Sequence, residues 1–135
     1  MINCNDVLIR LLTAAVRGQA GEDVFANTLS DDEIKAIYAL AKKHDLTHLV
    51  GAALENLPSE EKKRYKPFFT EAVKAMYRCE WLMGEQEKIY ALFERCGVRH
   101  IPLKGAVIRP LYREAWHRTS CDIDILVPEE QLDEA

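Results

Sequence analysis

Apolar residues in the first hundred positions recur mostly three and four apart, which is the spacing that places side chains on one face of an α-helix. This pattern predicts a helix over residues 5–17, with Asn5 as its N-cap. Ser30-Asp31-Asp32-Glu33 is a capping box, and it predicts a second helix that ends near His44. The beginning of the chain is therefore expected to be helical.

The helical spacing continues almost to residue 100. It predicts a helix over 48–57, a short helix over 59–65 and a long helix over 67–96. Pro67 suits the first turn of the long helix, because the first N–H groups of a helix have no partner inside it. Gly97 directly follows the last helical residue and predicts the end of the helix there.

The chain is predicted to contain a helical region, residues 1–58, and a second region, residues 59–135, that leads into strands. Residues 18–30 contain two glycines, so they are expected to form a loop between the first two helices. Val24, Phe25 and Leu29 are the large apolar residues of this loop, and we expect them to pack against helices.

After Gly97 the pattern changes from helical spacing to alternation. Residues 98–103 and 121–127 are predicted strands, because apolar and polar side chains alternate or form short apolar runs there. A short helical segment, Ala106 to Glu114, lies between them. The predicted fold class is α+β and mainly α, with a strand–helix–strand unit that begins a mixed sheet.

Asp122 and Asp124 lie two residues apart in the second predicted strand, so their side chains point to the same face. Neighbouring carboxylates repel each other and lose hydration, and a hard divalent cation removes this cost. Mg²⁺ prefers carboxylate oxygen as its protein ligand. The sequence thus suggests a metal site at Asp122 and Asp124. The alternative is an exposed edge strand whose outer face carries two aspartates without a metal.

A possible phosphate site lies upstream of the carboxylates. A strand, a glycine turn and a helix follow one another around Lys104-Gly105, and this geometry directs free backbone N–H groups towards an anion. Lys104 adds a positive charge at the same place. Arg118 lies four residues before Asp122, where it could reach a phosphate or pair with a carboxylate. Phosphate-binding groups beside a carboxylate pair favour phosphoryl or nucleotidyl transfer.

These residues together resemble a known family. Leu103-Lys104-Gly105, Tyr112, Arg118 and Asp122-Ile123-Asp124-Ile125-Leu126-Val127 are similar to the signature of the uncharacterised bacterial nucleotidyltransferase family, within the DNA polymerase β-like nucleotidyltransferase superfamily. The resemblance covers about the last forty residues. Lys104-Gly105 stands where many members have Gly-Ser, and 16 residues separate Gly105 from Asp122.

The resemblance implies an enzyme that transfers a nucleoside monophosphate from an NTP to an acceptor that the sequence does not identify. It implies that Asp122 and Asp124 are catalytic and bind Mg²⁺ or Mn²⁺, and that Lys104, Gly105 and Arg118 bind the nucleotide phosphates. The superfamily takes a third carboxylate from a later strand, so we expect residues 59–135 to be the N-terminal part of an incomplete nucleotidyltransferase core. We therefore expect this chain to be an incomplete piece and inactive alone. The alternative is a non-catalytic helical interaction module with a truncated or degenerate nucleotidyltransferase core.

Composition narrows the classes of partner. The formal net charge is −4, so no general attraction to nucleic acid is expected. No apolar run approaches the ~20 residues of a membrane span, and no signal peptide opens the chain, so a cytoplasmic protein without membrane association is expected.

The four cysteines are scattered, which disfavours a zinc site. An incomplete sheet would leave apolar surface exposed, which suggests a possible homodimer.

Overall fold

A computed structural model describes residues 3–19, 21, 29–133 and 135 of the chain. It confirms a mainly helical α+β fold, in which helices precede a small two-stranded antiparallel sheet. Leu29 is buried in the helical core, which confirms its expected packing, whereas Val24 and Phe25 lie outside the described residues and their packing stays a prediction. Within the described residues, no helix combines the length and the apolar character that crossing a bilayer requires.

Four short helices open the described chain. They are α1 (Cys4–Arg17), α2 (Asp31–Lys43), α3 (Thr47–Ala53) and α4 (Ser59–Lys62), and a 3₁₀ turn (Lys63–Tyr65) follows the last of them. Their positions confirm the helices that the hydrophobic spacing predicts. The capping box is also confirmed, because the Ser30 side chain accepts from the Glu33 N–H while the Glu33 carboxylate accepts from the Ser30 N–H.

One helix start and one helix end differ from the prediction. The N-cap of α1 is Asn3, whose side chain accepts a hydrogen bond of 3.0 Å from the N–H of Asn5, so the helix begins earlier than predicted. Asn5 cannot be the cap because its own N–H is the donor that the cap satisfies. Helix α3 ends at Ala53, and residues up to Leu57 form turns instead of the predicted last helical turn.

The core of the first part of the chain lies between α1, α2, α3 and the beginning of the long helix. Its most completely buried large side chains are Val50, Leu54 and Phe68. Apolar stripes on each helix meet here, and the burial of such side chains is the main stabilising contribution in a small helical domain. The buried residues of this core are Val7, Leu8, Leu11, Ala14, Ala15, Leu29, Ile34, Ile37, Ala41, Leu49, Val50, Ala53, Leu54, Leu57, Tyr65 and Phe68.

The long helix α5 (Lys66–Cys96) has 31 residues and contains Pro67 in its first turn, as predicted. Gly97 ends it with a left-handed φ of 71°. The N–H of Val98 donates to the carbonyl of Phe93 at 2.9 Å, and the N–H of Gly97 donates to that of Glu94 at 3.2 Å. These two bonds form a Schellman motif, which turns the chain out of the helix and towards the sheet.

The sheet is shorter than predicted. Strand β1 (Ile101–Pro102) pairs antiparallel with β2 (Ile125–Leu126), with Ile101 opposite Leu126 and Pro102 opposite Ile125. The prediction of full strands over 98–103 and 121–127 is therefore wrong in length. A two-stranded ladder extends only as far as both chains run side by side, and Pro102 has no N–H to donate.

The predicted helix from Ala106 to Glu114 is also wrong in length. Helix α6 spans only Gly105–Ile108, and a 3₁₀ turn (Arg109–Leu111) replaces the next helical turn. Pro110 explains the change, because proline lacks the N–H that would continue the helix and its ring clashes with the preceding turn. A further 3₁₀ turn at Ala115–His117 precedes the carboxylate segment.

Two compact units are distinguished, Met1–Ala75 and Met76–Ala135, with the boundary inside α5. The first contains the helical core, and the second contains the sheet and the predicted site residues. The sequence-based division at residues 58 and 59 concerns where a catalytic core begins, and it stays a prediction.

Candidate functional site

A tight turn follows β1 and begins the candidate site. The N–H of Ala106 donates to the carbonyl of Leu103 at 3.3 Å and closes the turn around Lys104 and Gly105. Lys104 has φ 43° and ψ −106°, a combination that resembles the first corner of a type II′ turn and is normally taken by glycine. The positive φ therefore falls on the lysine, whereas the sequence placed the special backbone position at the glycine. Such strain costs roughly 1–3 kcal/mol and concentrates at functional sites.

Backbone and side-chain contacts bring this turn to the carboxylate segment. The N–H of Leu103 donates to the carbonyl of Asp124 at 3.0 Å, which continues the ladder beyond the two strands. Lys104 Nζ lies 3.3 Å from Asp124 Oδ2, with the lysine side chain 70% exposed and the aspartate side chain 30% exposed. An ion pair with this exposure contributes at most about 1 kcal/mol to stability, so it can be exchanged for another partner at low cost.

Asp122 is exposed and Asp124 is half-buried, and both lie just before β2 rather than within it. The prediction that a regular strand holds the two side chains on one face is therefore not confirmed. Two accessible carboxylates fit the donor set of Mg²⁺, which is commonly held by one or two carboxylates together with waters and substrate phosphates. No cluster of three or more metal-binding side chains occurs in the described part of the chain.

Arg118 follows the 3₁₀ turn Ala115–His117 and is half-buried. Its Nε atom is buried and has no hydrogen-bond partner among the residues that the structure describes. No described ion pair joins it to a carboxylate, so the structure does not bear out the pairing that the sequence left open. The Arg118 guanidinium therefore has N–H donors without a partner among the described residues. In the sequence, Arg118 lies shortly before the carboxylate segment.

Sequence reasoning missed Arg109, which is only 4% exposed. Its Nη2 donates to Ser120 Oγ at 2.8 Å. A Cβ atom added to Gly105 would lie 3.4 Å from Ser120 Oγ and 3.7 Å from Arg109 Nη2, so this arginine lies directly against the turn. The available signal was spacing, since residue 109 lies four positions after Gly105 and residues four apart on a helix are neighbours.

The charge of Arg109 also acts on two groups of α5. Burial raises the pKa of the Cys79 thiol and of the Tyr90 phenol, and the positive charge of Arg109 opposes both shifts. The Tyr90 hydroxyl is buried without a hydrogen-bond partner in the described part of the protein. The interior of the second unit thus contains a positive charge near polar groups that are not fully satisfied.

Comparison with known proteins identifies the family. A family model described as "Uncharacterised nucleotidyltransferase" matches residues 30–135, which is most of the chain. The chain therefore belongs to this nucleotidyltransferase family. The match includes Lys104, Gly105, Arg118, Asp122 and Asp124. No curated protein and no solved structure matched the chain.

Proposed function

We propose that this chain carries the nucleotide- and metal-binding part of a metal-dependent nucleotidyltransferase, which transfers a nucleoside monophosphate from an NTP to an acceptor hydroxyl. One observation supports the proposal most strongly. The Lys104-Gly105 turn and Asp124 are joined by a backbone hydrogen bond and an ion pair, inside the region that matches the family. A phosphate-binding group beside a metal-binding carboxylate is what the reaction requires.

Each site residue has a distinct proposed role. Asp122 and Asp124 would hold Mg²⁺ or Mn²⁺, and the bound ion would neutralise negative charge on the phosphates. Lys104 and the backbone of Gly105 would bind the terminal phosphates, and Arg118 would orient the chain of phosphates with its unused donors. The acceptor hydroxyl then attacks the α-phosphorus and pyrophosphate leaves.

The test uses the chain, alone and together with any sequence that continues its reading frame, with an α-labelled NTP, Mg²⁺ and a set of acceptor classes: small hydroxyl compounds, proteins and RNA. We expect label to reach one class, and Asp122→Asn/Asp124→Asn to lower its transfer at least about 100-fold because the metal ligands are lost. Asp32→Asn is the matched control, since Asp32 is an exposed aspartate of α2. Equal transfer by wild type and by the double variant would contradict the proposal.

We also propose a cytoplasmic location and a homodimer as parts of the same account. Ile101 and Leu126, which face each other across the β1–β2 pair, are 59% and 55% exposed. Covering these side chains with a second copy would remove apolar surface from water. Sedimentation equilibrium tests this, and a monomer at all accessible concentrations would contradict it.

A non-catalytic interaction module is the second candidate function. Tyr77 and Trp81 lie four residues apart on α5 and are 75% and 57% exposed, and aromatic residues are enriched at protein interfaces. This candidate predicts neither nucleotidyl transfer nor metal binding at Asp122 and Asp124. The transfer assay therefore distinguishes the two candidates.

A further inference from the structure

Arg109 is a buried cation whose charge has no carboxylate partner among the described residues. The side chain is 4% exposed, and its described hydrogen bond goes to the neutral hydroxyl of Ser120. Its Nε atom is buried with no hydrogen-bond partner in the same part of the chain. An isolated buried charge is strongly unfavourable, so buried arginines are normally paired with an anion. The fold therefore contains a positive charge that its own described residues do not neutralise.

The location of this charge indicates which anion would neutralise it. Arg109 Nη2 lies 3.7 Å from the position of a Cβ at Gly105, so the guanidinium lies directly behind the Lys104-Gly105 turn. Lys104, in the turn itself, adds a second positive charge that is exposed and pairs with Asp124. A group bound at the turn would lie close to both cations. Positive charges of this kind, one of them in a low-dielectric environment, favour an oxyanion such as phosphate.

Burial also makes the charge effective over a longer distance than a surface charge. Its influence reaches Cys79 and Tyr90, where it opposes the effect of burial on both pKa values. Salt largely screens the interaction between exposed charges that are more than about 10 Å apart, whereas it screens buried charges much less. Arg109 can therefore act on an anion at the turn without touching it.

We propose that Arg109 is a positioning residue for a phosphate-class oxyanion, and that its buried charge holds this anion on the Lys104-Gly105 turn. The inference rests on the proposed nucleotide site and extends it to a residue behind the turn. Free pyrophosphate and the polyphosphate chain of an NTP share the required chemistry. Both ligands are therefore tested separately.

The experiment measures pyrophosphate and NTP affinity of the full chain by isothermal titration calorimetry in EDTA, so that no metal contributes. Arg109→Met and Arg109→Gln remove the charge, and Arg109→Lys keeps it. Arg99→Met is the matched control, because Arg99 is an exposed arginine of the same unit that pairs with Glu130. Circular dichroism and thermal unfolding in phosphate-free buffer accompany each variant.

We expect Arg109→Met and Arg109→Gln to weaken pyrophosphate affinity at least about 10-fold, and Arg109→Lys and Arg99→Met to change it less than about threefold. An equal loss for NTP would identify the polyphosphate chain of a nucleotide as the ligand, whereas a loss for pyrophosphate alone would identify the free anion. The neutral variants should also be at least as stable as wild type without phosphate, because they remove an uncompensated buried charge.

Several outcomes would overturn the inference. Three of them concern affinity in the variants: unchanged affinity in the neutral variants, or an affinity that Arg99→Met or Arg109→Lys weakens as much as the neutral variants do. The others are wild type that binds neither ligand, and neutral variants that fail to fold. The last result would show that the arginine has a structural role. Failure of the inference is distinguishable from failure of the proposed function, because metal-dependent nucleotidyl transfer that requires Asp122 and Asp124 would remain.

Discussion

At the scale of single residues, Lys104 combines backbone strain with a position between the phosphate turn and a carboxylate. Its φ of 43° suits glycine, and its ammonium group lies 3.3 Å from Asp124 Oδ2. The sequence correctly drew attention to Lys104-Gly105 as a turn. The sequence could not show which of the two residues has the positive φ. Glycine adopts a positive φ most readily, so Gly105 would be expected to have it rather than Lys104.

We predict that Lys104→Gly is more stable than Lys104→Ala by about 1 kcal/mol. Both variants lose the ion pair with Asp124, but only glycine relieves the backbone strain. Urea unfolding of the two variants measures the difference directly. In an ordinary loop position alanine would be equal or better, so a more stable Lys104→Ala would show that the backbone at this turn is not strained.

Tyr65 provides a second residue-scale prediction, which concerns pH. Its hydroxyl is buried with no hydrogen-bond partner among the described residues, and burial raises the pKa of the phenol above its ordinary value of 10.0. Arg64 lowers this pKa and Glu61 raises it, both by smaller amounts. A raised pKa in the folded state means that the unfolded chain releases the proton first. The free energy of unfolding is therefore unaffected by this group below about pH 10. It falls as the pH rises further, because the unfolded chain loses the Tyr65 proton more readily than the folded chain.

We therefore expect Tyr65→Phe to leave stability at neutral pH within about 1 kcal/mol of wild type, or to raise it, because no hydrogen bond is lost. Above about pH 10 its stability should fall less steeply than that of wild type. Urea unfolding at neutral and alkaline pH measures both effects. The exposed Tyr77→Phe controls for the general loss of a hydroxyl. A destabilised Tyr65→Phe at neutral pH would mean that the hydroxyl has a stabilising partner.

At the scale of elements, the sequence predicted the helices better than the strands. The capping box at Ser30 and the glycine stop at Gly97 are local devices, and local patterns can be read without knowing the fold. Strand length depends on the partner strand, so alternation over 121–127 overestimated β2. Pro110 shortens the helix after Gly105, because proline cannot continue a regular helix.

Two helical glycines give a matched prediction about packing. A Cβ on Gly51 in α3 would lie 2.8 Å from the carbonyl oxygen of Phe68 and 3.0 Å from the Cβ of Ala72, both in α5. A Cβ on Gly84 in α5 would have no atom within 4 Å. The first glycine allows two helix backbones to approach closely, whereas the second only lowers helix propensity.

We predict that Gly51→Ala lowers the free energy of unfolding by about 1–3 kcal/mol, because the added methyl group meets backbone atoms. Gly84→Ala should raise it by about 0.5–1 kcal/mol. Urea unfolding of both variants gives the two values. Opposite signs support the close approach of α3 and α5. A stabilising Gly51→Ala would rule it out.

At the scale of the whole molecule, family membership extends well beyond the residues that suggested it. The resemblance in the sequence covered about the last forty residues, whereas the family match begins at residue 30. Hydrophobic spacing alone assigns the earlier helices only to a fold class. Arg109 could not be recognised as buried from the sequence, because burial depends on tertiary neighbours such as Ser120, which lies 11 residues further along the chain.

Titration with Mn²⁺, followed by electron paramagnetic resonance, measures metal binding at the proposed Asp122 and Asp124 site. We predict that wild type and Asp32→Asn bind Mn²⁺ with the same affinity, and that Asp122→Asn/Asp124→Asn binds at least about 10-fold more weakly. Removing the two carboxylates should have this effect whether or not an acceptor is known. Superimposable titration curves for wild type and the double variant would show that Asp122 and Asp124 do not bind the metal.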